Sequence, residues 1–515
     1  MSASTERKNR QAAREAGTDK KMLAAEKEAK EKAKSSRRWT IGTIAVIVSI
    51  LAIIVLDSNV LYKSTAFTVG DTKYNASEVS YEYANQYNNF ASQYGSYASI
   101  FGLDTSNGAK GLDKQDCSFT EGTWKDYFLD AARQSMIQAT ALCDYANANG
   151  IELDEDEIAN VNAGFEGVDE MALSYGYANG DKLFAANYGP GVNTEMVRSS
   201  YMKSALGTKV LQTVSDSFQY TDAELEEHYK SFNGDQDLFD YCYYYVPAET
   251  VEVAGEDGET TQEVNEDTVA MAKAQAEAIV MSYNEDEGED TAAKFDAAVK
   301  SIIPEAEATE QTRVVGSSLI AADWMKDASR QAGDITVESD SSETGYYVVA
   351  FLGRDDNHYK VAQVRHILVK AEASEDGSYT EEAKAAAKAK AEDILAEYMA
   401  GDKTEESFAA LAEQYSEDAG SNTNGGLYAT VTKGQTVPEF DQFCFEGHKA
   451  GDTAIVYGDN GSYAGYHVMY YVGEGELYSK LLAENDLRNA DLTEWLENLV
   501  AGYESSEGFG MKLVG

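Results

Sequence analysis

Two nine-residue segments, GYYVVAFLG at 345–353 and GYHVMYYVG at 465–473, match in length and chemistry. Both are rich in β-branched and aromatic residues and read as strands. Each closes the same succession of elements. In the earlier series a strand at 239–246 leads through an acidic loop to helices at 268–283 and 292–303, then to the 345–353 strand. In the later series a strand at 361–370 leads through an acidic loop to helices at 380–400 and 404–415, and ends in the 465–473 strand. A repeated order of this kind means one architecture built twice, so this part of the chain is two homologous domains.

The copies differ where chemistry could sit. The opening strand of the later copy, VAQVRHILVK, sets His366 among Val361, Val364, Ile367, Leu368 and Val369, and its closing strand carries His467 where the earlier copy has Tyr347. At the place of His366 the earlier copy has Tyr243 or a neighbour. A histidine inside such a strand is buried, and each ring nitrogen then needs a partner, because an unpaired buried polar group costs about 1–3 kcal/mol. Two readings stay open on these residues alone: a facing pair across adjacent strands, or two unrelated core histidines.

At 515 residues the chain has room for further domains. Residues 1–38 carry twelve Lys/Arg against six Asp/Glu, and a helix is expected between 14 and 34. The overall formal charge of −47 therefore leaves −53 for the remainder, a balance that repels nucleic acid and excludes it as a partner. Residues 39–56 are eighteen uncharged, mostly aliphatic positions after Arg37 and Arg38, which reads as a signal anchor with its N-terminus inside; a cleaved signal peptide is the alternative. Beyond it a strand and a Gly-Asp turn precede a helix starting near 75–77, and residues 122–235 read as mostly helical. Tyrosines crowd positions 74–245, as core packing or as an exposed surface that holds unfolded chain. The tail from 477 is an amphipathic helix that needs something to pack on, with the N-terminal helical region as the expected site. Four scattered cysteines give no disulfide framework or zinc spacing, and Cys444 with His448 lacks a third residue to orient a nucleophile and base.

Between the two histidine strands lie FAALAEQYSED at 408–418, Gly420-Ser421, Gly425-Gly426-Leu427-Tyr428, Gly434 to Phe440, and Phe443 to Phe445. With RHILVK before and GYHVM after, residues 361–474 resemble a parvulin-type peptidyl-prolyl cis-trans isomerase, and the wider layout resembles the PrsA/SurA-type extracytoplasmic foldases. The resemblance implies that His366, Asp418 and His467 are the catalytic constellation. It implies that Tyr428, Thr436, Phe440 and Ser462 line the substrate site, with Ser462 giving the hydroxyl beside the second histidine. Thr436 stands where the family usually has Met, and Tyr428 where it usually has Leu.

The fold class implied is α+β: a single-pass membrane anchor, a mostly helical N-terminal chaperone region, two parvulin-like domains of small antiparallel sheet with helices, and a C-terminal helix packing back. The expected boundaries are a cytoplasmic basic segment at 1–38, a transmembrane signal anchor at 39–57 and a helical chaperone-like region at 58–236. A degenerate parvulin-like domain at 237–358, the isomerase domain at 359–475 and the C-terminal helix at 476–515 follow. The expected function is peptidyl-prolyl isomerisation and folding of secreted proteins at the outer face of the cell membrane, without cofactor or metal. Its partners would be unfolded or partly folded secreted polypeptides containing X-Pro bonds and the membrane at 39–57, with a homodimer left open. The alternatives are a holdase chaperone that uses the fold only to bind, and a structural protein of the cell surface.

Overall fold

A computed structural model describes residues 3–16, 20–57, 60–254 and 260–515, which divide into two compact units. One unit comprises Met1–Phe218 with Asp491–Gly515, and the other Gln219–Ala490.

In the first unit, strand Thr65–Val69 lies between Thr72–Asn75 and Ser505–Glu507 in an antiparallel sheet. Asn75 then caps helix Ala76–Tyr94, its side chain accepting from the Ser77 and Glu78 amides while Glu78 reaches back to the Asn75 amide. Thr123 and Asp126 open helix Trp124–Asn149 in the same way, and Gly150, at φ 67°, ends it. Tyr74, Tyr83, Tyr87, Phe90, Trp124 and Phe128 share one core, so these tyrosines are packing residues and not an exposed surface. Leu492, Trp495, Leu496 and Leu499, in the second half of helix Tyr478–Ala501, pack against Leu142, Ala146, Val210 and Val214.

The predicted membrane span is corrected. Helix Lys20–Asp57 runs through it, yet among the described residues no helix is long and apolar enough to cross a membrane. The first half of that helix is polar. From Trp39 on it is apolar, and its described stretch falls short of the length and hydropathy of a membrane span. Positions 53–57 of the predicted span lie outside the residues whose side chains are described. The fold class is therefore mixed helix and sheet, without a spanning segment among the described residues.

The second unit holds two four-stranded antiparallel sheets of identical plan. The earlier orders its strands Thr309–Val315, Leu238–Pro247, Gly345–Asp355, Ile335–Ser339, and the later Leu427–Val431, Lys360–Lys370, Ala464–Leu477, Thr453–Asp459. The first and last strands of each series pair at the centre, and the two short edge strands come from the connections between them. On one face of the later sheet, Ile367, Val369, Val468 and Tyr470 pack under helices Glu381–Ala400 and Glu405–Tyr415. On the other, Ala362, Val364, Met469 and Tyr471 pack under the short helix Pro438–Phe445. This period-two alternation sends every second side chain to the short-helix side, and both histidines fall in that set.

Candidate active site

His366 pairs across the central strands with Met469, and His467 with Leu368, so the two histidines are diagonal neighbours on one face. Their Nδ1 atoms stand 3.0 Å apart, and the rings are stacked at 30°. At 2 % and 4 % exposure both are buried.

Each remaining nitrogen has a partner. His366 Nε2 lies 3.0 Å from Asp418 Oδ2 and 3.2 Å from Ser421 Oγ, and His467 Nε2 lies 2.9 Å from the Tyr463 hydroxyl. Asp418 Oδ2 also accepts from the hydroxyls of Ser421 at 2.5 Å and Tyr428 at 3.2 Å. With both rings neutral one direction satisfies every group: Tyr463 Oη–H to His467 Nε2, His467 Nδ1–H to His366 Nδ1, and His366 Nε2–H to Asp418.

The electrostatics follow from this chain. Hydrogen bonds from His366 and Ser421 hold the Asp418 carboxyl well below the usual carboxylate range. Burial, with His366 alongside, holds His467 down to about 3. Burial and the neighbouring Asp418 push the Tyr428 phenol up to about 12, which keeps it a donor. The site is thus a carboxylate fed by the His366 ring, two hydroxyls and the Gly420 amide, at the end of a buried histidine pair.

Local sequence explains the placement. Leu368 donates its amide to Ser416 Oγ and accepts from the Glu417 amide at 2.9 Å, so the end of helix Glu405–Tyr415 delivers Asp418 beside the strand of His366. Gly426, at φ 73°, comes so close that a Cβ there would lie 2.2 Å from the His366 carbonyl oxygen. Phe440, the third residue of its helix, stands edge-on to both histidines, with centroids 5.4 and 5.3 Å away, and Tyr428 lies 5.0 Å from His366. The four rings pack against one another as an apolar wall beside the Asp418 carboxylate.

Of the residues singled out from the sequence, His366, Asp418, His467, Tyr428 and Phe440 converge. Thr436 lies on the loop before helix Pro438–Phe445, its Oγ1 buried and meeting no hydrogen-bond partner among the described residues. Ser462 does not converge. It is exposed on the turn where Asn460 Oδ1 accepts the Ser462 and Tyr463 amides, and the hydroxyl on His467 comes from Tyr463. Sequence reasoning also passed over Ser421 and Gly458; a Cβ on Gly458 would lie 2.6 Å from His467 Nε2. Cys444 and His448 do not meet: burial pushes the thiol up to about 12, and the imidazole stacks on Phe443 at 4.2 Å. Among the described residues no cluster of His, Cys, Asp or Glu is arranged to hold a metal ion.

The earlier sheet has the same register without the chemistry. Tyr347 pairs with Tyr245 and Val349 with Tyr243, so Tyr243 and Tyr347 occupy the places of His366 and His467, with centroids 6.1 Å apart.

Residues 346–470 match the family model of the PPIC-type PPIase domain. The match begins in the closing strand of the earlier sheet and stops within the strand of His467. The chain is similar to the chaperone SurA of Hahella chejuensis, 37% identical over 122 residues, which are 23% of this chain and 26% of that protein. It thus spans about a quarter of the length of that curated relative. Among solved structures, PrsA from Bacillus subtilis aligns at 13% identity and a TM-score of 0.29 over 74% of this chain and 89% of its own. The foldase PrsA from Streptococcus pneumoniae aligns at 11% identity and 0.24 over 77% and 96%. Residues 346–470 therefore form a PPIC-type peptidyl-prolyl isomerase domain, in a chain that is similar over about a quarter of its length to the chaperone SurA of Hahella chejuensis.

Proposed function

We propose that the whole protein is an extracytoplasmic foldase that turns X-Pro bonds in unfolded secreted polypeptides. The observation that carries this reading is the ionised Asp418 at the end of the buried histidine pair, with the Phe440 and Tyr428 rings packed against His366 beside it. Prolyl rotation breaks no bond; its barrier of about 18–20 kcal/mol is the loss of amide resonance. That resonance places extra negative charge on the carbonyl oxygen. A carboxylate facing the oxygen raises the planar form more than the twisted one, and the aromatic wall holds the ring without hydrating the amide. Asp418 would face the carbonyl, Phe440 would carry the prolyl ring, and the histidines would keep Asp418 ionised and in place.

The test is prolyl isomerisation by the full-length protein on a series of X-Pro peptides. Acceleration over the uncatalysed rate is expected, falling at least about tenfold in Phe440→Ala and in Asp418→Asn. No acceleration by the wild type would refute isomerisation. A second role, holding clients without catalysis, is favoured by the tyrosines in the earlier copy and by a cleft of about 710 Å³ in the first unit, lined by side chains such as Tyr81, Asn85, Gln86 and Ser200. Suppression of client aggregation that survives Phe440→Ala would establish it.

A further inference from the structure

The copy without histidines touches the loop that leads into the short helix of the other. Arg313, on its edge strand Thr309–Val315, donates from Nη2 to the Lys433 carbonyl oxygen at 2.5 Å. Its guanidinium lies so close over Gly434 that a Cβ there would fall 2.6 Å from Arg313 Nε. Lys433 and Gly434 belong to the loop that carries Thr436 and ends at Val437, the cap of helix Pro438–Phe445.

Four more contacts hold the loop. The Lys433 amide donates to the Tyr359 hydroxyl at 3.1 Å; its ammonium sits 4.2 Å over the Tyr359 ring and 3.5 Å from Asp355, the last residue of the earlier copy's closing strand. On the far side, the Gly434 amide donates at 2.6 Å to Oδ1 of Asp441, the neighbour of Phe440. An unbroken run of contacts thus leads from Arg313 through Gly434 and Asp441 to the ring against both histidines.

Arg313 is held in place at a conformational cost. Its φ is 53°, a left-handed backbone that a long side chain seldom adopts, in a strand whose pairing with Leu238–Pro247 shifts register across it, between Gln311 and Val314. The Arg313 amide donates to Asp240 Oδ1 at 2.6 Å, which fixes this turn of the backbone. Glycine would occupy the position without strain, so the side chain is present for its reach.

We propose that Arg313 is a positioning residue for the isomerase site, and that the copy without histidines sets that site by clamping the loop at Lys433 and Gly434. This rests on the isomerase reading above, so the test has two readouts in the full-length protein: kcat and KM on an X-Pro peptide, and the affinity of a non-turning prolyl peptide analogue. Arg313→Gly suits the left-handed backbone and is expected to keep or raise the melting temperature. It should nevertheless lower kcat/KM and weaken analogue binding roughly threefold to tenfold, the worth of one hydrogen bond. Arg313→Asn, also tolerated at positive φ, should do the same. Arg330→Ala, which removes a guanidinium 4.8 Å from the Trp324 ring in the same copy, should leave both readouts unchanged. Unchanged kcat/KM and affinity in Arg313→Gly would overturn the proposal, as would an equal loss in Arg330→Ala. Should the wild type bind the analogue without turning over peptide, the isomerase reading fails, and the clamp stands or falls on analogue affinity alone.

Discussion

Acidification from pH 7 to pH 4.5 should loosen the sheet that carries the two histidines, with His467 as the cause. In the folded chain burial holds this ring's pKa down to about 3; in the unfolded chain it returns to about 6.5. Between those values the unfolded state binds one more proton than the folded state, so stability rises with pH there and is lost as pH falls. Each pH unit is worth about 1.4 kcal/mol, so two units below 6.5 remove about 3 kcal/mol, or about a hundredfold in the opening equilibrium. Asp418 acts with the same sign at lower pH: its folded value is depressed, so its contribution is complete above the ordinary 3.8 and is lost as pH falls through the folded value. The assay is amide hydrogen exchange of Lys360–Lys370 and Ala464–Leu477 in the full-length protein at pH 7 and 4.5, corrected for intrinsic rates, in wild type and His467→Asn. Wild-type protection should fall about a hundredfold, and that of the variant much less. An equal fall in His467→Asn, or an NMR titration of the His467 ring near pH 6.5, would refute the reasoning.

Tyr463→Phe removes the hydroxyl paired with His467 Nε2 and should destabilise the domain by about 1–3 kcal/mol in thermal unfolding, while Ser462→Ala on the exposed turn should change neither melting nor turnover. Cys444, its thiol pushed up to about 12 by burial, should resist thiol reagents at pH 8 in the folded protein and react on unfolding; mass spectrometry showing it labelled in native protein faster than the half-buried Cys117 would contradict that.

The histidine strands were legible because period-two burial leaves a plain trace: apolar residues on both faces of VAQVRHILVK mark a central strand. Asp418, Tyr428 and Phe440 were legible by resemblance, as parts of an ordered set of motifs. Tyr463 was not, because a turn and not a pattern decides which neighbour faces inward. Asn460 accepts both the Ser462 and Tyr463 amides, and the one-residue step between them sends one side chain out and the other onto His467. The edge strands Leu427–Val431 and Thr453–Asp459 escaped notice for a related reason: little of either is buried, so neither carries a clear alternation. Helix Pro438–Phe445, eight residues long, is too short for periodicity to show. The run from Trp39 erred the other way. Its composition satisfied a hydropathy rule that the described part of helix Lys20–Asp57 does not meet.

The sheet that joins Thr65–Val69 to Ser505–Glu507 sets an order of events during synthesis. Val69 waits for Ser505, 436 residues later, and at about 5–20 residues per second the delay is roughly 20 to 90 seconds. Both strands of the histidine pair are complete by Leu477, before the closing strand exists. The isomerase domain can therefore mature while the flanking unit is still open along the edge of Thr65–Val69. That interval is of the same order as one uncatalysed prolyl isomerisation.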